Sequence, residues 1–362
     1  MIVGAKSIAV MMALGCLATA HAPVAAASIY ANQSDVGNQL CIPVHSWTNP
    51  DKPVKGVIVA LQGLIFSGKM FEVLANHFTD KGYIVYANDM RGFGDWRETD
   101  HKFAGDSAIH FGQSKDDLTD ILKALRKKYP GKPIFCVGES FGANMAVWEA
   151  STEPGLMDGA IASGVVAKTR VHPRPLWVKT FFQGIHNPNN RINIRPYMEP
   201  ILSEDKQIAQ ELIEDDHTVK EMSITNLIKA AVTNKNSVKE IARIPPTLPI
   251  LLMAGKKDRV QKTEALAEMV PKMGSKETTL VIFADKGHML LECSRLDPEV
   301  STVMDNWLDQ QQEAFEKKIA AAANSSQANL SSTGSSGIES STATPDDGGP
   351  ADAFSKNDEG VI

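Results

Sequence analysis

In the stretch "PIFCVGESFGANMAVWEA", residues 133–150, Ser140 stands between Gly138 and Gly142, after an apolar run and before a helix-like one. A serine hydroxyl is a poor nucleophile at neutral pH unless an adjacent base takes its proton. That base is usually a histidine held by a carboxylate. Two later residues suit these roles. Asp258 closes the apolar run of "LPILLMAGKKDRV", and His288 follows the next run in "ETTLVIFADKGHMLLE". Serine, then acid, then histidine, each at a strand end, is the order used where a strand–Gly-x-Ser-x-Gly–helix turn presents the serine. The chemistry would be acyl transfer to Ser140, with His288 as general base and Asp258 as its orienting acid. Of the nine histidines, no other follows a late strand so closely. Each residue also has a plain structural reading: a polar turn for Ser140, a helix N-cap for Asp258, a satisfied turn histidine for His288. Asp285 competes for the place of the acid.

Such chemistry needs two backbone N–H groups aimed at the developing oxyanion. One is that of the residue after the nucleophile, Phe141. The other comes from a loop after an early strand, here "VIVALQGLIFSG", with Leu64 the expected donor and Gly63 permitting close backbone approach. Read alone, that segment is only a Gly-rich turn. No His/Asp cluster has metal-ligand spacing, so no metal or other cofactor is expected.

The elements that must position these residues alternate along residues 28–167 and again along 246–320. Short apolar runs ("GVIVALQG", "YIVYANDMRG", "PIFCVG", "MDGAIASGVVA", "LPILLMAG", "ETTLVIFAD") read as strands. Amphipathic segments between them ("MFEVLANHFTDKG", "DDLTDILKALRKKYPG", "NMAVWEAS", "KTEALAEMV", and finally "PEVSTVMDNWLDQQQEAFEKKIA") read as helices. This rhythm predicts an α/β fold with a mostly parallel central sheet covered by helices on both faces. Residues 168–245 break it. "RPLWVKTFFQGI", "SEDKQIAQELIEDD" and "TVKEMSITNLIKAAV" have apolar spacings near 3 and 4, which predicts a helical insertion.

The ends differ in character. Residues 1–27 read as a signal peptide: Lys6, the apolar core "SIAVMMALGCLATA", and Ala25 and Ala27 before a cleavage point at Ser28. The core is too short to span a bilayer, which takes about 20 residues. Export to the periplasm or medium is expected, with lipidation at Cys16 of "ALGC" as the alternative. Residues 321–362 are Ser-, Thr- and Gly-rich, with six acids against Lys356, and are expected to be disordered. The 362 residues carry a net charge of −6, 43% hydrophobic and 22% charged residues, and no basic cluster, so a nucleic-acid partner is excluded. Export would allow a disulfide, and Cys41, Cys136 and Cys293 remain after cleavage. Whether Cys41 pairs with Cys293 stays open, as does the oligomeric state.

"VIVALQGLIFSGKMFEVLANHFTDKGYIVYANDMRGFGDW", "DDLTDILKALRKKYPGKPIFCVGESFGANMA", "LPILLMAGKKDRVQ" and "KGHMLLE" together resemble the α/β-hydrolase superfamily. Within it they resemble the monoacylglycerol lipase / lysophospholipase branch, grouped with serine aminopeptidase-like hydrolases, from about Val54 to Trp307. The resemblance implies an α/β-hydrolase fold with a helical cap, and Ser140, Asp258 and His288 as nucleophile, acid and base. It implies a small-molecule or lipid ester as substrate. The cap would roof the site with Trp177, Phe181 and Phe182, and would touch a membrane surface transiently; these aromatics also suit packing of the cap alone. Two positions depart from the family pattern: Gln62 precedes Gly63 where histidine is usual, and Glu139 precedes the serine where histidine is frequent. Glu139 has no role readable from sequence. Two other functions stay open: an aminopeptidase, whose substrate amine would be held by cap acids among Glu204, Asp205, Glu211, Glu214, Asp215 and Asp216, and a non-catalytic binding module on the same fold.

Overall fold

The computed structural model describes residues 28–97, 108–170, 187–203 and 206–333. The chain divides into two units, Met1–Phe315 and Glu316–Ile362.

Within the first unit, every apolar run read as a strand forms one: β3 (Gly56–Leu61), β4 (Tyr83–Asn88), β5 (Ile134–Glu139), β6 (Gly159–Ser163), β9 (Ile250–Gly255) and β10 (Thr278–Phe283). They pair in parallel in the spatial order β4-β3-β5-β6-β9-β10. The segment before Gly56, whose pattern predicts no element, adds β1 (Ile29–Ala31), a short helix α1 (Asp35–Leu40) and β2 (Val44–Thr48). β2 pairs antiparallel with both β4 and β1, completing eight strands. All residues of β3, β4, β5, β6 and β9 are buried, as near-continuous apolar runs must be when helices cover both faces. β10, at an edge, is partly exposed.

The covering helices are α2 (Glu72–Thr79), α3 (Phe111–Lys128), α4 (Phe141–Thr152), α8 (Glu264–Met269) and α9, which begins at Pro298 and extends to Thr333. Proline suits the first turn of a helix because its missing N–H would have no partner there. One layer closes with Phe135 against Trp307 and Tyr83, rings edge-on at centroid distances of 5.9 and 6.4 Å. Burying each such ring contributes about 1.5–3 kcal/mol.

Between β6 and β9 lies the cap, and it is not wholly helical. It holds helices α5 (Arg195–Leu202), α6 (Lys206–Glu214) and α7 (Ile224–Ser237), together with a two-stranded antiparallel sheet of β7 (Arg191–Asn193) and β8 (Glu221–Ser223). "TVKEMSITNLIKAAV" splits at Ser223, whose hydroxyl accepts the Asn226 N–H and caps α7. A short polar-capped strand entering a helix carries much the same apolar spacing as one helix, which is why periodicity merged them.

In the second unit, the described residues 316–333 are helical, so the helical segment passes the expected tail boundary at Ala321. Low hydrophobicity argues against burial, not against a helix. Residues 321–325 are exposed, and the alanines there are the strongest helix formers. The leader with Cys16, and residues 334–362, lie outside the described residues. Among those described, no helix is long and apolar enough to cross a membrane. Cys41, Cys136 and Cys293 are unpaired thiols.

Candidate active site

The turn at Ser140 follows from what flanks it. β5 ends at Glu139, α4 begins at Phe141, and the single residue between them reverses the chain at φ 53°, ψ −112°. A side chain rarely adopts this backbone conformation. It is held by the Ser140 N–H donating to Ser163 O (2.8 Å) and by Asn144 N–H donating to Ser140 O (3.2 Å). The two glycines are required by contact. A Cβ on Gly138 would sit 2.3 Å from Gly142 O, and one on Gly142 would sit 1.9 Å from Leu61 O. These clashes are with backbone, so neither can be relieved by a rotamer change. Gly142→Ala is therefore expected to destabilise the protein by on the order of 3 kcal/mol. Gly112→Ala, where a Cβ meets open space at the start of α3, should leave stability unchanged or slightly raised. Urea midpoints of the two variants check this.

Asp258, His288 and Ser140 come together although 118 and 148 positions separate the serine from the others in sequence. Asp258, at the turn after β9, accepts the N–H groups of Val260 (2.7 Å) and Gln261 (3.0 Å) on Oδ1. Its Oδ2 lies 2.7 Å from His288 Nδ1, and His288 Nε2 lies 2.7 Å from Ser140 Oγ. Asp258 and His288 are buried, while Ser140 is half-buried and reachable. Glycines again make room: a Cβ on Gly255 would meet Gly287 O at 2.1 Å, and one on Gly164 would meet the His288 ring at 3.1 Å. Asp285, the rival acid, points away, its exposed carboxylate paired with Lys286.

Burial disfavours the His288 imidazolium, but the charge and hydrogen bond of Asp258, with a further contribution from Glu139, raise its pKa above the ordinary histidine value. Burial also works against the Asp258 carboxylate, yet His288 and the Gln261 and Val260 N–H groups hold its pKa below the usual range. The arrangement can therefore accept the Ser140 proton at His288 Nε2 and stabilise the resulting imidazolium.

The loop after β3 abuts this turn, as the Gly142 contacts with Leu61 O and Gln62 O require. Gln62 braces the loop: its Nε2 donates to Phe66 O, and its Oε1 accepts the Met90 N–H (3.3 Å). The Gly63 N–H is taken by Glu292, whereas the Leu64 and Phe141 N–H groups have no acceptor among the described residues. Free amides at these two positions are what an oxyanion site needs. Further back, Asp89 accepts the N–H groups of Gly68 (2.7 Å) and Asp95 (2.8 Å) and meets His45 (3.3 Å), while Asp95 accepts from Asn32 (3.0 Å). His45, Asp89 and Asp95 have ligand-like proximity, but these bonds make them a hydrogen-bond hub that anchors the loop.

Two buried carboxyl groups escaped the sequence reading as site residues. Glu139 Oε1 accepts the Leu290 N–H (2.7 Å) and the Ser163 hydroxyl (2.9 Å); Oε2 accepts the N–H groups of Leu291 (2.9 Å) and Glu292 (2.7 Å). Glu292 in turn receives the Gly63 N–H at 3.0 and 2.8 Å on its two oxygens. The sequence signal was partial: a glutamate closing a strand buried on both faces must be satisfied by something, but its donors, on β6 and after His288, are remote in sequence. Trp177, Phe181 and Phe182, and the cap acids Glu204 and Asp205, lie outside the described residues. Of the other cap acids, Glu211, Glu214 and Asp216 are exposed and Asp215 accepts the His217 N–H (2.8 Å).

Comparison with known proteins places the chain in a family and a fold. The family model described as serine aminopeptidase, S33, matches residues 52–293. Human monoglyceride lipase is 21% identical over 264 residues, 72% of this chain and 84% of that protein. A monkeypox virus monoglyceride lipase homolog is 26% identical over 119 residues, 33% of this chain and 41% of that protein, so the alignment spans less than half the length of that relative. The crystal structure of a monoacylglycerol lipase from Paleococcus ferrophilus superposes with a TM-score of 0.60 at 21% identity, over 75% of this chain and 99% of that one.

Proposed function

The chain belongs to the serine aminopeptidase S33 family of α/β-hydrolases, on its monoacylglycerol lipase-like branch, and we propose that it hydrolyses carboxylic esters of lipids through an acyl-enzyme on Ser140. One observation carries the reading: a single imidazole bridges Ser140 Oγ and the buried Asp258 carboxylate at 2.7 Å on each side. His288 takes the serine proton as Oγ attacks the ester carbonyl, and the N–H groups of Leu64 and Phe141 receive the oxyanion. The protonated imidazole then gives its proton to the leaving alcohol. Water repeats the sequence on the acyl-enzyme and frees the acid.

The monoacylglycerol preference rests on the likeness to lipases of that name. Ile228 and Val232, exposed and one turn apart on α7, suit contact of the cap with a lipid surface. An exported location remains a proposal from the leader. An aminopeptidase would need acids to hold the substrate amine, and the exposure of Glu211, Glu214 and Asp216 lends that reading no support.

The test is a panel of monoacylglycerols and p-nitrophenyl esters of graded chain length, run beside aminoacyl-arylamides and a fluorophosphonate probe. Ester turnover with covalent labelling at Ser140 is expected. Arylamide cleavage far above ester cleavage would move the assignment to the peptidases, and folded protein without labelling would leave a binding module.

A further inference from the structure

The residue before the nucleophile does not face substrate. Glu139 is fully buried behind Ser140, and its carboxylate sits in a cradle of three successive N–H groups, those of Leu290, Leu291 and Glu292, closed by the Ser163 hydroxyl. Those three residues begin two positions after His288. The last of them passes the contact on: the Glu292 carboxyl, also fully buried, holds the Gly63 N–H next to Leu64. One line of contacts thus runs from the strand that carries the nucleophile, through the segment that carries the base, to the loop that carries the proposed oxyanion donor. These contacts tie the three segments directly to one another, beside the bonds that anchor each of them separately.

Donor count separates the two carboxyl groups. Four donors converge on Glu139, which stabilises its charged form. Among the described residues one N–H reaches Glu292, that of Gly63, and the nearby negative charge of Glu139 opposes a second negative charge. Two adjacent buried carboxyl groups do not both ionise, so the charge resides on Glu139 and the proton on Glu292. Burial, with the charge of Glu139 behind it, pushes the pKa of Glu292 well above the carboxylate range. The pKa of Glu139 is raised as well, by burial, with the three N–H groups and His288 pulling it back. The other groups facing this pair and His288 are Asp258, from the turn after β9, and the Cys293 thiol, which burial helps to push up to about 12 and keeps neutral. Lys286 is taken by Asp285, Asp297 and Glu299.

We infer that Glu139 and Glu292 are positioning residues: ionised Glu139 sets the His288 imidazole against Ser140, and neutral Glu292 sets the Gly63–Leu64 amides against the same serine. This rests on the serine-hydrolase reading above. It makes opposite demands on the two positions. Glutamine at 139 keeps one acceptor oxygen and turns an NH₂ group toward backbone N–H donors. Glutamine at 292 preserves the neutral acceptor that Gly63 uses, whereas alanine removes it.

The experiment compares Glu139→Gln, Glu292→Gln and Glu292→Ala with wild type, using p-nitrophenyl butyrate across pH, with the fluorophosphonate labelling rate of Ser140 as a second readout. Glu139→Gln is expected to lower kcat by about 10- to 100-fold with KM within about twofold, the size of one or two lost buried hydrogen bonds. It should also move the acid limb of kcat/KM to lower pH, because removing an anion beside His288 makes the imidazolium easier to deprotonate. Glu292→Ala should lose kcat by a similar factor and Glu292→Gln should restore it. Wild-type kcat and an unmoved acid limb in Glu139→Gln, or equal loss in both Glu292 variants, would overturn the inference. Should Glu139→Gln not fold, the order of the two Glu292 variants decides. Wild type that neither labels nor turns over ester would overturn the serine-hydrolase reading itself, a result distinct from active wild type with indifferent variants.

Discussion

Ser140→Ala is expected to lower kcat by about 10⁶-fold, the scale seen when a nucleophile that acts as a unit with its base is removed, without unfolding the protein. The loss is this large because, among the described residues, no other hydroxyl shares the His288 Nε2 contact that Ser140 Oγ makes at 2.7 Å. The fold is spared because the hydroxyl carries none of the local structure. The Ser140 N–H bond to Ser163 O and the carbonyl bond from Asn144 N–H are backbone interactions that alanine keeps. Alanine also keeps the strained φ of 53°. Ser140→Gly should be equally inactive but more stable, by about 1 kcal/mol, because glycine adopts positive φ without a Cβ penalty. Burst titration with a p-nitrophenyl ester and urea unfolding of both variants measure the two effects. Residual activity of even a tenth of wild type in Ser140→Ala would mean that another group attacks the ester.

Much of this site was legible because the chemistry and the fold constrain the same residues. Strands β3, β5 and β9 are buried along their whole length and nearly all apolar, since both faces are covered, and that makes their ends easy to place; Ser140, Asp258 and the Gly63–Leu64 loop are all defined by such ends. Gly138 and Gly142 stood out because a backbone contact, not a side chain, excludes any larger residue. Legibility failed where a segment's partner is remote. β1 and β2 have little pattern of their own; β2 is a strand because β4 offers it an edge, and β1 because β2 does. The β7–β8 pair was hidden because three-residue strands carry too few side chains to display a period. Glu139 was visible as a letter and opaque as a role, since its partners at Leu290, Leu291 and Glu292 lie 151 to 153 positions away. The helix beyond Ala321 was missed for the opposite reason. Its few apolar residues exclude a buried face, but an alanine-rich segment needs no burial to be helical.

Asp258→Asn should lower kcat by about 10⁴-fold through the tautomer of His288 rather than through any loss of shape. Asp258 Oδ1 accepts two backbone N–H groups, from Val260 and Gln261, and Oδ2 accepts from His288 Nδ1. An asparagine must leave its one carbonyl oxygen on the two amides, because its NH₂ group there would face two donors. The NH₂ group is thereby turned toward Nδ1, which must become an acceptor, and the ring proton moves to Nε2. A protonated Nε2 donates to Ser140 Oγ and takes no proton from it. The pH profile separates this from simple disorder. In wild type the imidazole must be neutral to act, and the raised pKa of His288 places the acid limb of kcat/KM above about pH 6.5. Removing the Asp258 charge lowers that pKa, so the residual activity of Asp258→Asn should persist to lower pH than that of wild type. It should rise again in strong base, where hydroxide replaces the missing base. Activity within tenfold of wild type, or an acid limb that stays in place, would show that Asp258 is not the group that orients His288.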